Sequence, residues 1–384
     1  MKKVMILFLL AGMTLSTGEV LSQSQNSRMR SRSADVAPGD LPTGEWNAIT
    51  DVPGVLVGQK TLVRGDSVRT GVTAVLPHGG NIFQEKVPAA ISVGNGFGKL
   101  TGITQVRELG NLEAPITLTN TLNVGTAVEA VVDYTLDLPR NEDVRSVNAV
   151  VGETNDGYLN DIRGMHVTRQ DVKDAITAAA SGPVEEGVVG AGTGTRCFGY
   201  KGGVGTSSRI VKIGDKNQYA VGVLVQTNYG GELSIAGVPV GQELRKEPGV
   251  LGEPAENGGS CMVVVATDAP LSARNLERLA KRSFLGLART GSVMSNGSGD
   301  YAIAFSTAYR LAQSESVRAE IPSLVANTGM TTLFSAVVDA TEEAVYNSLF
   351  MATTTRGYNG RVVKALPIGK TVRVLRENGV LDNH

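Results

Sequence analysis

The chain has 384 residues, 41% of them hydrophobic, and a formal charge of −1, enough apolar length for one large core or two ordinary ones. With no basic excess and no polybasic tract, it lacks the electrostatic footprint of a nucleic-acid or anionic-membrane binder. Its 47 glycines exceed the usual ~7% and fall in short clusters between apolar runs with no fixed period, a pattern of tight turns between strands rather than of collagen or a linker.

In chain order, Met1 to Ser22 reads as a secretory signal. Lys2 and Lys3 give the positive start, and Val4 to Leu15 form an apolar core too short to span a bilayer. Val20-Leu21-Ser22 favours cleavage after Ser22, with Gly18 as the alternative. Residues 23–45 are polar, with Arg28, Arg30 and Arg32 among serines, and are expected to form a mobile leader. No later segment has the apolar length of a membrane span, so the expectation is a soluble, exported protein, periplasmic or secreted.

Residues 46–384 are expected to form a single domain. Apolar runs at 72–76, 89–93, 147–151, 219–225, 262–266 and 301–305 predict strands, several buried on both faces. Helical spacing predicts helices over 121–133, 169–180, 272–290 and 329–351. Thr168 stands where it would cap the second of these, with Asp171 three residues on. Strands outnumber helices without steady β-α-β alternation, which argues for a layered α+β fold.

Common chemistries fit poorly. The three histidines, His78, His166 and His384, have no nucleophile-base context, and Met262 occupies the last position where a Gly-x-Ser-x-Gly elbow around Ser260 would need glycine. There is no His-Glu-x-x-His and no Cys-x-x-Cys, so no cofactor or metal is expected, although an all-aspartate site stays open. Gly98-Lys99 fails as a phosphate loop because Leu100 follows it, and Gly190-Ala-Gly-Thr-Gly194 fails as a dinucleotide turn because its third glycine comes one position early. Of the two cysteines, Cys261 reads as a buried strand residue and Cys197 as a loop thiol that could be free.

What remains is a set of polar groups at strand ends. Gly258-Gly259-Ser260 runs directly into the apolar Met262–Ala266 stretch. Cleavage between Gly259 and Ser260 would put a hydroxyl and an α-amine titrating near neutrality on one residue, joining nucleophile and base. Asn228 ends the 219–225 run and suits an oxyanion donor. Ser298 and Asp300 precede the 301–305 run, and Glu153 and Tyr158 follow the 147–151 run. Each alone is an ordinary turn. Together they are an arrangement common in active sites.

At these residues the chain resembles the N-terminal-nucleophile aminopeptidases that include the L-aminopeptidase/D-amidase-esterase and the β-peptidyl aminopeptidases. The resemblance runs from Trp46-Asn-Ala-Ile-Thr-Asp to Thr353-Thr-Thr-Arg-Gly357. It is sharpest at Gly-Ser260 with Val-Val-Val-Ala-Thr-Asp-Ala-Pro-Leu271, at Gln-Thr-Asn228-Tyr-Gly, and at Gly-Ser298-Gly-Asp300. It implies a four-layer αββα sandwich self-processed into an α chain ending at Gly259 and a β chain from Ser260. Ser260 would be the nucleophile, Asn228 the oxyanion donor, and Ser298 with Asp300 would orient the nucleophile. Glu153 and Tyr158 would line the substrate pocket. The implied substrate is a peptide, amino-acid amide or ester with a free amine, possible preferences being β-peptidyl or D-configured residues, and the αβ units are expected to form a homo-oligomer. Some members carry glutamate at the position of Asp300 and asparagine at that of Gly259. Two other readings stay open: an acyltransferase of a related self-processing fold, and a non-catalytic exported binding protein.

Overall fold

The computed structural model describes residues 28–214, 217–246, 258–313 and 321–382. The expected signal at 1–22 lies outside the described residues.

The chain forms strands β1 (Leu56–Arg64), β2 (Val68–Leu76), β3 (Glu85–Gly96) and β4 (Ile116–Asn120), then helix α1 (Val124–Leu136), strand β5 (Val150–Thr154) and helix α2 (Arg169–Thr177). Strands β6 (Val204–Ile213), β7 (Asn217–Tyr229) and β8 (Gly259–Thr267) follow, then helix α3 (Ala273–Arg289), strand β9 (Ser298–Ser306) and helix α4 (Met330–Phe350). A four-stranded sheet has the order β1-β2-β4-β5, and the main path of a seven-stranded sheet runs β3-β9-β8-β7-β6. Pairing is antiparallel throughout except for β4 with β5 and β8 with β9, which are parallel.

The period-two alternation of side chains builds the layers. Met262, Val264 and Ala266 of β8 point into the core between the two sheets, with Leu118 of β4 and Val150 of β5. Cys261, Val263 and Val265 point the other way, against Leu276 and Leu279 of α3 and Val337 and Ala340 of α4. On the far side, Ala127 and Val131 of α1 and Val172 and Ile176 of α2 cover Val72 and Ala74 of β2. The result is the expected α+β four-layer sandwich, helices outside and both sheets inside. Thr168 caps α2 with its hydroxyl accepting from the Asp171 N–H at 3.2 Å, and the Asp171 carboxylate accepts from the Thr168 N–H at 2.9 Å.

The leader differs from expectation. From Arg28 onward it is packed, because its arginines find buried acceptors that composition alone does not reveal. Arg28 donates to the Leu366 carbonyl at 3.0 Å, and Arg30 donates to the Asn47 and Thr206 carbonyls at 2.7 and 2.8 Å and pairs with Glu186. Arg32 forks onto Glu343 of α4, with Nη2 at 2.6 Å from Oε2 and Nε at 3.1 Å from Oε1. Glu343 also receives Arg209 of β6 at 2.7 Å and the Asn47 amide at 2.6 Å. Burial alone would raise the Glu343 carboxyl, but the Arg32 hydrogen bonds and the two guanidinium charges hold it below the usual carboxylate range.

The side chains of Arg209 and Glu343 are both fully buried, so removing one leaves an uncompensated charge in the core. Glu343→Ala should destabilise the folded protein by ~3–5 kcal/mol in urea unfolding. A loss below ~1 kcal/mol would mean that the cluster behaves as a solvated surface pair.

Candidate active site

Ser260 is the second residue of β8 and is held from both edges. It lies opposite Asn228 on antiparallel β7 and beside Gly299 on parallel β9. Gly258 and Gly259 approach it at φ 157° and 152°, conformations that side chains with a Cβ rarely adopt. A Cβ at Gly259 would stand 2.6 Å from Tyr229 Cα, so in this chain both the dihedral and the facing backbone favour glycine. The Ser260 hydroxyl lies 2.5 Å from the Gly259 carbonyl oxygen and donates to it. The hydroxyl and the carbonyl of the preceding residue are thus in contact. Glu256 and Asn257, which lead into this turn, lie outside the described residues.

Ser260 opens into a cleft of about 340 Å³ that also brings together Asn228, Gly259, Glu153 and Tyr158. The Asn228 side-chain oxygen Oδ1 accepts from the Arg196 backbone N–H at 3.0 Å, which leaves the side-chain NH2 as its hydrogen-bond donor. Glu153 is almost fully buried and sits in a donor nest. It accepts from the Lys99 N–H at 3.0 Å and from the Thr121 hydroxyl, and the Lys99 ammonium lies 3.5 Å away. Tyr158 carries the Arg196 guanidinium over its ring at 3.7 Å.

Ser298 and Asp300 are set beneath the cleft floor. Asp300 lies in register with Cys261, one strand over from the start of β8. Gly299 between them is pressed against the backbone of 97–98, where a Cβ would meet the Phe97 carbonyl at 2.9 Å. The Ser298 hydroxyl and both Asp300 oxygens are buried, and among the described residues none makes a hydrogen bond of good geometry. Burial pushes the Asp300 carboxyl up to about 6, against the pull of the nearby Ser298 hydroxyl and Cys261 N–H.

Lys99, Thr121 and Arg196 line the cleft but were not singled out from sequence. From sequence Gly98-Lys99 reads only as a failed phosphate loop; the structure places it at the cleft wall, where the Lys99 N–H donates to Glu153. Two of the histidines lie elsewhere: His78 accepts the Gly80 N–H at 3.1 Å and contacts the Glu85 carbonyl, and His166 lies 3.2 Å from Asp161; His384 lies outside the described residues. Cys197 and Cys261 are both buried free thiols, and burial pushes Cys197 up to about 12, which makes it a poor nucleophile.

The model of peptidase family S58 matches residues 47–363. Beta-peptidyl aminopeptidase BapA of Sphingosinicella microcystinivorans is 42% identical over 355 residues, covering 87% of this chain and 89% of that protein. Among solved structures, the PH0078 protein of Pyrococcus horikoshii OT3 superposes at a TM-score of 0.86 with 48% identity, covering 91% of this chain and all of the other. The L-aminopeptidase D-Ala-esterase/amidase of Ochrobactrum anthropi, described as a prototype for the serine aminopeptidases and a variant of the Ntn hydrolase fold, superposes at 0.84 with 38% identity, over 92% of this chain and 99% of that one. The chain therefore belongs to peptidase family S58, the N-terminal-nucleophile aminopeptidases, and is a hydrolase of peptide bonds.

Proposed function

We propose that the protein is an exported, self-processing serine aminopeptidase that releases N-terminal residues from peptides, amides or esters through an acyl-enzyme on Ser260, with β-peptidyl substrates as the leading class. The observation that carries this is the Ser260 hydroxyl in contact with the Gly259 carbonyl, behind two glycines of positive φ and at the mouth of a cleft. In the precursor, Ser260 Oγ attacks the Gly259 carbonyl carbon, the Gly259–Ser260 C–N bond breaks and an ester forms. Water then hydrolyses the ester, giving an α chain with a Gly259 carboxylate and a β chain with a free Ser260 amine.

In the processed enzyme that amine, titrating near ~8, takes the proton of its own hydroxyl as Oγ attacks the first peptide bond of the substrate. The Asn228 amide stabilises the oxyanion, a contribution of ~3 kcal/mol where such a donor has been removed. Ser298 and Asp300 hold the Ser260 amine and hydroxyl in place. Glu153 takes the substrate ammonium, and Tyr158 forms a wall of the pocket. The β-peptidyl preference is supported by the name of a relative at 42% identity. Paired α and β chains assembling as a homo-oligomer of αβ units complete this reading.

Purified protein should resolve on a denaturing gel into two pieces, one beginning at Ser260, while Ser260→Ala should remain one inactive chain. Two pieces from the alanine variant would overturn self-cleavage by Ser260. Recognition of the amine is tested separately: a free-amine β-alanyl anilide should be cleaved and its N-acetylated twin should not. Glu153→Gln should lower kcat/KM for the free amine by ~10- to 100-fold in fully processed enzyme. Equal turnover of the two anilides would leave a general amidase instead.

Asp300 gives a pH signature. Its carboxyl, at about 6 when folded, binds a proton more tightly than in the unfolded chain, where the value is ~3.9. Its contribution to stability is therefore fully present below about pH 4 and is lost as pH rises through about 6. In urea, uncut Ser260→Ala protein should lose stability across that window relative to the double variant Ser260→Ala/Asp300→Asn. Parallel pH curves for the two would show that Asp300 does not titrate there.

A further inference from the structure

The part of the cleft around Glu153 carries a cation as well as an anion. A Cβ placed on Gly98 would stand 3.2 Å from both Glu153 Oε1 and Gly299 Cα. Gly299 is the register partner of Ser260 on β9, so the carboxylate lies next to the strand that flanks Ser260. Oε1 accepts the Lys99 backbone N–H, and Oε2 accepts the Thr121 hydroxyl. A carboxylate has about four acceptor sites, so these two bonds leave capacity for a substrate ammonium. The Lys99 ammonium stands 3.5 Å from the same Oε1, longer than a normal N–H···O hydrogen bond. Its side chain is half exposed, whereas that of Glu153 is buried.

A cation at this point works against a substrate that offers nothing but an ammonium. Lys99 competes with that ammonium for Glu153 and repels it at close range. The same cation works in favour of a first residue that bears a carboxylate on the carbon holding its ammonium. The charges then alternate, with the substrate ammonium on Glu153 and the substrate carboxylate on Lys99. The lysine head has three rotatable donors on a flexible stem, so it can turn from Oε1 to an incoming carboxylate while its backbone N–H keeps Glu153 in place.

This charge pattern narrows the substrate. In an ordinary α-peptide the carbon bearing the ammonium also bears the scissile carbonyl, and no free carboxylate is left there. Free ammonium and free carboxylate share one carbon when the peptide is linked through a side-chain carboxyl instead. Linkage through the β-carboxyl of aspartate puts two carbons between the amine and the scissile carbonyl, which is the spacing of a β-alanyl residue. We propose that Lys99 is a specificity-determining residue that binds the free α-carboxylate of a β-linked aspartyl residue, and that peptides beginning with such a residue are a substrate class of this cleft. This rests on the aminopeptidase reading above. Ser260 Oγ would attack the β-carbonyl carbon, the C–N bond would break with the proton passing to the leaving amine, and water would then split the ester to release free aspartate.

Three anilides with the same amine-to-carbonyl spacing test this: β-aspartyl, 3-aminobutanoyl, in which a methyl replaces the carboxylate, and β-alanyl. They are compared at low ionic strength, because salt screens a half-exposed cation. Processed wild-type enzyme should favour the β-aspartyl over the 3-aminobutanoyl anilide by ~10-fold or more in kcat/KM. Lys99→Met keeps the backbone N–H to Glu153 and should bring this ratio below 1, losing on the acid and gaining on its neutral twin, while Lys99→Arg should keep part of the acid preference. A wild-type ratio of ~1 or less would overturn the proposal, since the expected preference is ~10-fold. So would an unchanged ratio in Lys99→Met, which would hand the carboxylate to another group such as Arg196, or equal losses on both anilides in that variant, which would show that Lys99 merely holds Glu153. The wild-type ratio needs no variant, so misfolding of Lys99→Met does not protect the idea. If processed wild-type enzyme leaves all three anilides uncut, the aminopeptidase reading falls and this inference with it; if it cuts β-alanyl and 3-aminobutanoyl but not β-aspartyl, this inference falls alone.

Discussion

Everything at the candidate site depends on the register of β8. Its first residues are hydrogen-bonded on one edge to antiparallel β7 and on the other to parallel β9, so Ser260 has no freedom to drift along either neighbour. A slip of one residue would turn Ser260 out of the cleft and turn Met262, Val264 and Ala266 out of the core between the sheets. The apolar burial that builds the sandwich is therefore the same constraint that aims the Ser260 hydroxyl. Asn228 and Gly299 need no separate positioning, because the same register brings both of them beside Ser260.

The second constraint is the ionic cluster around Glu343. Its partners Arg32, Asn47 and Arg209 all precede Ser260 in sequence, whereas Glu343 follows it. Arg28 and Ser31 reach across the same divide, to Leu366 and to the Asn347 side chain at 3.0 Å. If the chain is cut at Ser260, these become contacts between two polypeptides. They add directional, desolvated pairing to the apolar packing that both pieces share between the two sheets and beneath α3 and α4. A break at Gly259–Ser260 removes one covalent link from a structure in which β8 keeps both neighbouring strands.

How much of this was legible in the sequence depended on where the partners lay. Strands with continuous apolar runs, such as 219–225, 262–266 and 301–305, stood out because each residue reports its own burial. Strand β6 did not, because Thr206, Ser207, Ser208 and Arg209 are buried polar residues whose partners, such as Glu343, lie more than a hundred positions away. Strand β1 alternates with charged residues along an exposed edge and lacks a run to detect. The packing of the leader from Arg28 onward is hidden for the same reason as β6: arginines among serines look solvated until a buried carboxylate is found to meet them. Within the site, Ser260, Asn228, Ser298, Asp300 and Glu153 were readable as polar groups at strand ends. Arg196 and Lys99 were not, since their roles depend on backbone N–H groups, which every residue has.

The polar atoms beneath the floor carry the final point. A folded chain seldom keeps buried hydroxyl and carboxylate oxygens without partners, since each costs ~1–3 kcal/mol. Here, among the described residues, the Ser298 hydroxyl and both Asp300 oxygens make no hydrogen bond of good geometry, beside the strand that begins at Gly259. In the uncut chain the nitrogen of Ser260 is an amide, with one proton and no charge. If the Gly259–Ser260 bond is cut, that nitrogen becomes an ammonium with three donors, one strand away from an orphaned carboxylate and hydroxyl. The unsatisfied atoms of the precursor are then the satisfied atoms of the product. Cleavage would lower the proton affinity of Asp300 and draw the new amine toward it, fixing the orientation in which that amine can act as a base. If the chain is so cut, the relief of these buried groups favours the cut form without requiring any change in the fold.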